Sequence, residues 1–103
     1  MTREEILAMP AGRELDELVA EKVMGWKIPN KEIWRLLSFQ PSTTIASAWA
    51  VVQKLRESRP VQLSWPAPEG WAFHAGGLFA IGNAPTAPLA ICRAALLTTL
   101  PAS

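Results

Sequence analysis

Val61-Gln62-Leu63-Ser64-Trp65-Pro66-Ala67-Pro68-Glu69-Gly70-Trp71-Ala72-Phe73-His74 is the stretch on which the fold turns. Val61, Leu63 and Trp65 alternate with Gln62 and Ser64. Trp71 and Phe73 alternate with Ala72 and His74. A period of two belongs to a strand with one face buried. Pro66 to Gly70 separates the two runs as a five-residue turn, so the stretch reads as a β-hairpin. Trp65 and Trp71 flank that turn and are spaced to meet as a cross-strand pair. Further on, Gly76-Gly77 breaks or bulges the second strand. Leu78 to Ile81 predicts a third strand, followed by a turn at Gly82-Asn83.

Helical periodicity brackets the hairpin. On its N-terminal side, Ser42 and Thr43 are both good N-caps, because a hydroxyl accepts from an exposed amide of the first turn. Ile45, Ala48, Trp49, Val52 and Leu55 follow at helical spacing, which takes Trp49 into the core. Arg59-Pro60 ends this helix, since the residue before proline avoids helical geometry. On the C-terminal side, Thr86 caps a helix that tolerates Pro88 in its first turn. Leu89, Cys92, Ala95, Leu96 and Leu100 form its apolar face, and Pro101 stops it. Its alanines suit close packing.

Earlier in the chain, Thr2 and Glu5 match a capping box for a short helix through Leu7 or Ala8. Pro10 and Gly12 interrupt it. A second helix is expected from about Gly12 to Met24, with Leu15, Leu18, Val19 and Val23 on one stripe and Gly25 ending it in a left-handed conformation. Residues 26–41 carry no clear period. Trp26 and Ile28 begin a short strand or cover the core from a loop. Pro29-Asn30 reads as a turn, and Lys31 to Leu37 as one or two helical turns bringing Trp34 inward. The order helix, helix, strands, helix predicts an α+β domain. It consists of a short antiparallel sheet of about three strands packed with helices, in a single domain over residues 1–103.

Composition narrows the class. The chain has 103 residues, ten Lys and Arg against nine Asp and Glu, and a hydrophobic half. That is too apolar for disorder and too neutral for a strongly basic nucleic-acid binder. One cysteine and one histidine supply neither an internal disulfide nor a multi-histidine zinc site. The charged start Met1-Thr2-Arg3-Glu4-Glu5 is not a secretory signal, and Arg93 interrupts the most apolar run, Ala87 to Leu100. A cytoplasmic protein with no membrane partner is expected. Five tryptophans with no tyrosine are the oddity.

Three stretches carry a family resemblance. Gly12-Arg13-Glu14-Leu15-Asp16 with Leu18 to Trp26, Pro41-Ser42-Thr43 before Ala48-Trp49 and Val51-Val52, and Pro88 to Leu96 together resemble the phage ABA sandwich domain family. The resemblance spans roughly residues 3 to 100, and residues 27–40 contribute nothing to it. Family members often have an acidic residue where this chain has Thr44. The resemblance implies an antiparallel sheet between helices (an α/β/α sandwich) and a phage or prophage origin, hence the host-cell cytoplasm. It implies no activity.

Each candidate for chemistry has a plainer reading beside it. His74 and Cys92 are the residue types of a base and a nucleophile, but Cys92 falls on an apolar helix face, where free cysteine behaves as a small hydrophobe. Glu14 and Asp16 are two apart and do not share a helix face; they read as a solvated start that suits the helix dipole. Arg93, the lone charge of the last helix, is expected to form a structural ion pair with Glu14, Asp16 or Glu21. Gly76-Gly77 to Gly82 lacks the spacing of a phosphate loop. Lys54, Arg56 and Arg59 beside Trp65 and Trp71 form a small patch of the kind that grips single-stranded nucleic acid. Trp26, Trp34, Trp65 and Trp71 are the candidate interaction surface, since tryptophan is enriched at binding hot spots. No catalytic residue, cofactor or metal is assigned. The chain therefore reads as a non-enzymatic protein-interaction module whose partner is an unknown protein or a second copy of itself. The alternative is a nucleic-acid-associated accessory protein, and the third reading a small enzyme.

Overall fold

The computed structural model describes residues 2–27, 38–76 and 80–100. Among them are four helices and three strands: α1 (Arg3–Ala8), α2 (Arg13–Lys22), α3 (Ile45–Arg56), β1 (Val61–Ala67), β2 (Gly70–Ala75), β3 (Ile81–Ala84) and α4 (Ala87–Leu97). The readings made for Ile28, Pro29-Asn30 and Lys31 to Leu37, including Trp34, lie outside the described residues, as do those for Gly77, Leu78 and Pro101.

The strands form one antiparallel sheet in the order β1-β2-β3. Val61 pairs with Ala75, and Leu63 with Phe73, which in turn pairs with Gly82. These residues share a face, and that face meets α4. The opposite face carries Gln62, Ser64, His74 and Asn83, linked by the Gln62–His74 and Ala72–Asn83 registers. This is the partial coverage that the mixed polarity of the strands implies. The hairpin turn is tighter than expected: β1 runs on to Ala67 and β2 starts at Gly70. The extra length is absorbed by a register shift between Ser64 and Ala67. Pro66 is tolerated there because β1 is an edge strand.

The third strand departs from expectation more strongly. β3 contains Gly82 and Asn83, where a turn was expected. The reason is packing. A Cβ on Gly82 would fall against the Ala90 carbonyl oxygen and within 2.5 Å of the Ala94 backbone nitrogen. This glycine lets the sheet touch the backbone of α4, so it serves a close approach and not a turn.

α4 is the centre of the molecule. It packs on β2 and β3 on one side and on α1, α2 and α3 on the other. From Leu89 to Leu97 every residue except Arg93 is buried. A helix apolar on all sides belongs in a core. Thr86 caps it by accepting from the Leu89 amide, with Pro88 in the first turn.

Around it the local signals mostly hold. Thr2 and Glu5 close both bonds of the capping box. Gly25 ends α2 with a φ of 75°, and the Trp26 amide reaches back to the Ala20 carbonyl at 2.9 Å. α3 is different at two points. Its N-cap is Thr44, which accepts from the Ser47 amide, and not Ser42 or Thr43. An acidic residue at that position would do the same job. The buried stripe is Ala48, Val51, Val52 and Leu55, which leaves Trp49 half in solvent instead of in the core. Alanine and valine bring α3 closer to α4 than an indole in the same interface would allow.

Candidate interaction surface, Asp16 cleft and basic cleft

The large apolar side chains that α3 and the hairpin leave outside define the first candidate surface. Trp65 is 66% exposed, Ile45 54% and Trp49 51%, while Leu63 and Trp26 are at the exposed margin. Ile45 and Trp49 are one turn apart on α3 and lie side by side. Trp65 sits at the register shift of β1, its ring centroid 6.1 Å from that of Trp71 with planes inclined by 43°. The expected cross-strand pair is therefore present. Trp71 is its inner member, packed against the core, and Trp65 its outer one. Trp26 stacks at 4.6 Å on Phe39, inclined by 56°. Ile45 and Leu63 were missed by the sequence reading; a correct phase for the α3 stripe would have exposed Ile45.

The second site is built around Asp16. This residue is 4% exposed, so it is not part of a solvated helix start. Its Oδ1 accepts from the Ser42 amide at 2.8 Å. Ser42 is itself buried, and its hydroxyl accepts from the Gly12 amide at 2.9 Å while donating to the Gly12 carbonyl. The network ties the first turn of α2 to the segment before α3. Beside it opens a cleft of about 440 Å³, between Gly12, Arg13 and Asp16 on one wall and Phe39, Gln40 and Thr43 on the other. Burial pushes the Asp16 carboxyl above its ordinary value, and the Ser42 bonds only partly offset this. Arg13 at the mouth is engaged with Glu17 at 3.1 Å, and Glu14 is exposed. Glu14 and Asp16 are thus not brought together as an acid–base pair.

The raised value makes a testable pH dependence. The native state holds the Asp16 proton more tightly than the unfolded chain, so stability attributable to this group is greatest below the unfolded value and is lost as pH rises through the folded one. At neutral pH its charge is a burden, offset by the Ser42 bond. Asp16→Asn keeps an acceptor and removes the charge; it should leave stability at pH 7 unchanged or raised. Asp16→Ala strands the buried Ser42 amide and should cost about 1–3 kcal/mol. Urea unfolding at pH 7 of both variants checks this; equal losses would mean that the bond to Ser42 is not what holds the carboxyl in place.

The expected ion pair of Arg93 with Glu14, Asp16 or Glu21 does not form. Its Nη1 donates to the Asn83 carbonyl at 2.7 Å and its Nη2 to the Met9 carbonyl at 3.1 Å. Arg93 therefore ties β3 to the end of α1 through backbone acceptors. Desolvation lowers its pKa, and Glu69 partly offsets that. Asp16 was unavailable because Ser42 holds it, and Glu14 and Glu21 stay on the outer surface of α2.

His74 and Cys92 are also kept apart. His74 is on the polar face of the sheet by register, and Cys92 is fully buried in α4. Burial, and after it the nearby Asp16 charge, push the Cys92 thiol well above its ordinary value. Among the described residues no three of His, Cys, Asp and Glu gather as metal ligands, and no helix is long and apolar enough to cross a membrane.

The basic residues fall elsewhere than expected. Lys54 and Arg59 line a cleft with Lys22 of α2; Arg56 does not. Trp65 lies four residues beyond Val61, about 13 Å along the strand from the end that adjoins Arg59. The basic cluster and Trp65 therefore do not adjoin.

Comparison with known proteins gives two findings. The family model of the phage ABA sandwich domain matches residues 17–96. The fold is similar to the crystal structure of a phage protein from Bacillus cereus ATCC 14579, with a TM-score of 0.66 and 26% identity over 88% of this chain and 93% of that one. No curated protein matches.

Proposed function

The chain belongs to the phage ABA sandwich domain family, and on that premise we propose that it is a phage- or prophage-encoded accessory protein of the host cytoplasm that works as a non-enzymatic protein-interaction module. The observation that carries this reading is the exposure of Trp65 and Trp49 together with their apolar neighbours Leu63 and Ile45. Tryptophan offers a large, rigid contact area, and binding energy concentrates on such side chains when a partner removes them from water. Among the described residues Trp65 has a ring partner in Trp71 and still stays mostly in solvent, and Trp49 and Ile45 lie outside the buried stripe of α3. The core is complete without them, as Phe73, Leu15, Ile91 and Leu96 are each fully buried.

The nucleic-acid reading drew on cations next to stacked aromatics. The separation of Arg59 from Trp65 weakens it. The test is affinity capture with the full chain against host and phage lysate, with Trp49→Ala/Trp65→Ala as the paired control, followed by sedimentation over a range of concentrations. A protein, or a second copy of the chain, retained by the wild type should lose at least about tenfold in affinity in the double variant, the size expected of one hot-spot tryptophan. A chain that stays monomeric and retains nothing that the double variant does not would sink the proposal.

A further inference from the structure

We infer that the cleft between the C-terminal ends of α2, α3 and α4 is a binding site for a phosphate group. It is independent of the tryptophan surface. The cleft measures about 240 Å³. That is smaller than the roughly 300–1,000 Å³ of pockets that enclose whole small molecules, and it suits one compact anionic group.

Three cations from three places in the sequence converge there: Lys22 from α2, Lys54 from α3 and Arg59 from the loop that leads into β1. No aspartate or glutamate lines it. None of the three cations has a carboxylate partner among the described residues, although Glu21 and Glu57 are close in sequence. Unpaired cations around a concavity are the electrostatic arrangement that concentrates an anion.

Three helices end at this cleft, and their partial negative charge takes up part of the cations' field; at α4 hydroxyls share that work. Carbonyls at the end of α4 are already hydrogen-bonded. The Thr98 hydroxyl donates to Ala95 O and the Thr99 hydroxyl to Leu96 O, both at 2.6 Å. Those acceptors no longer compete for the lysines. Arg59 is held in place by its stem. A Cβ on Gly76 would lie 3.2 Å from Arg59 Cδ, so the chain at Gly76 and the arginine stem are already in close contact. Its Nε lies 3.5 Å from Ser58 Oγ, and among the described residues the two terminal nitrogens of the guanidinium have no partner, which suits a forked contact with two phosphate oxygens. The buried Leu55 side chain forms the floor.

A phosphate reaches such a site either free in solution or on a nucleic-acid backbone. The test titrates the full-length, isotope-labelled chain with inorganic phosphate against chloride at matched ionic strength, and separately with a single-stranded DNA oligonucleotide, following backbone amide shifts. Saturable shifts at Val23, Leu55, Ser58 and Thr99 are expected with inorganic phosphate. Lys22→Gln, Lys54→Gln and Arg59→Gln should each weaken binding roughly two- to fivefold, as for exposed charge pairs, and the triple variant should abolish it while keeping the wild-type circular dichroism spectrum. If the oligonucleotide displaces inorganic phosphate, the backbone is the source; if it does not, free phosphate is. Either result supports the site. Absence of saturable shifts with both probes, or shifts that persist in the triple variant, overturns it. Neither outcome bears on the capture experiment with the tryptophan variants.

Discussion

Gly82→Ala should destabilise the domain by about 3 kcal/mol, the upper end for an overpacked core. At roughly 4–8 °C per kcal/mol for a domain of this size, Tm falls by about 12–24 °C. The cost is large because of what the new methyl would meet. A methyl that presses on a side chain is accommodated by a rotamer change. Here it would press on the Ala90 carbonyl and the Ala94 amide of α4. Both belong to a helix that is buried on all sides, so relief requires β3 and α4 to move apart. That separation loosens Phe73 and Ala84 on the same sheet face, both buried against the helix. Thermal and urea unfolding of the purified variant measure the effect. A variant as stable as the wild type would show that sheet and helix do not touch backbone to backbone at this point.

Arg93→Ala should cost about 2–3 kcal/mol, since it deletes two charge-assisted bonds to partly buried carbonyls. One bond reaches β3, ten positions back, and the other the C-cap residue of α1, 84 positions away. The variant should therefore release α1 from α4 as well as lose stability, which amide exchange at Ile6 and Met9 would register. Arg93→Lys should recover only part of the loss, because one ammonium cannot fork between two acceptors as a guanidinium does. Glu14→Gln and Glu21→Gln should stay within about 0.5 kcal/mol of the wild type, the range of ordinary surface substitutions. A large effect of either glutamine would restore the ion pair that the geometry rejects.

These two residues also mark where sequence reading stops. Periodicity and caps located α1, α2, α4 and the hairpin, because those signals are local: the Thr2–Glu5 box, Gly25, Thr86 with Pro88, and the alternation from Val61 to Phe73. Each depends on neighbours a few positions away. What was misread depends on contacts across the fold. Gly82-Asn83 looks like a turn until α4 is placed behind it. Asp16 looks solvated until Ser42, 26 positions on, donates to it. The α3 stripe admits two phases that share Ala48, Val52 and Leu55, and only the closeness of α4 selects Val51 over Ile45 and Trp49. Arg93 was rightly singled out as a charge that needs a partner. Its partners are backbone carbonyls, which every sequence has everywhere, so no residue pattern could have pointed to them. The candidate surface was legible in outline: Trp65 and Trp71 meet as expected, and Trp65 is the exposed member. Lys22 joins Lys54 and Arg59 only because α2 and α3 both pack on α4.

The order of elements along the chain has a consequence for synthesis. α4 is the helix on which α1, α2, α3 and the sheet all pack, and it is the last described element to be made. Until Ala87 to Leu97 leave the ribosome, the earlier helices and the hairpin have no common surface to bury. The nascent chain must carry the unprotected apolar faces of α2 and α3, and the aromatic hairpin, until α4 has been made. Folding then becomes a late, nearly all-at-once event that depends on contacts distant in sequence, which slows it relative to a chain of local contacts. Chains cut short before Ala87 should therefore lack a protease-resistant core.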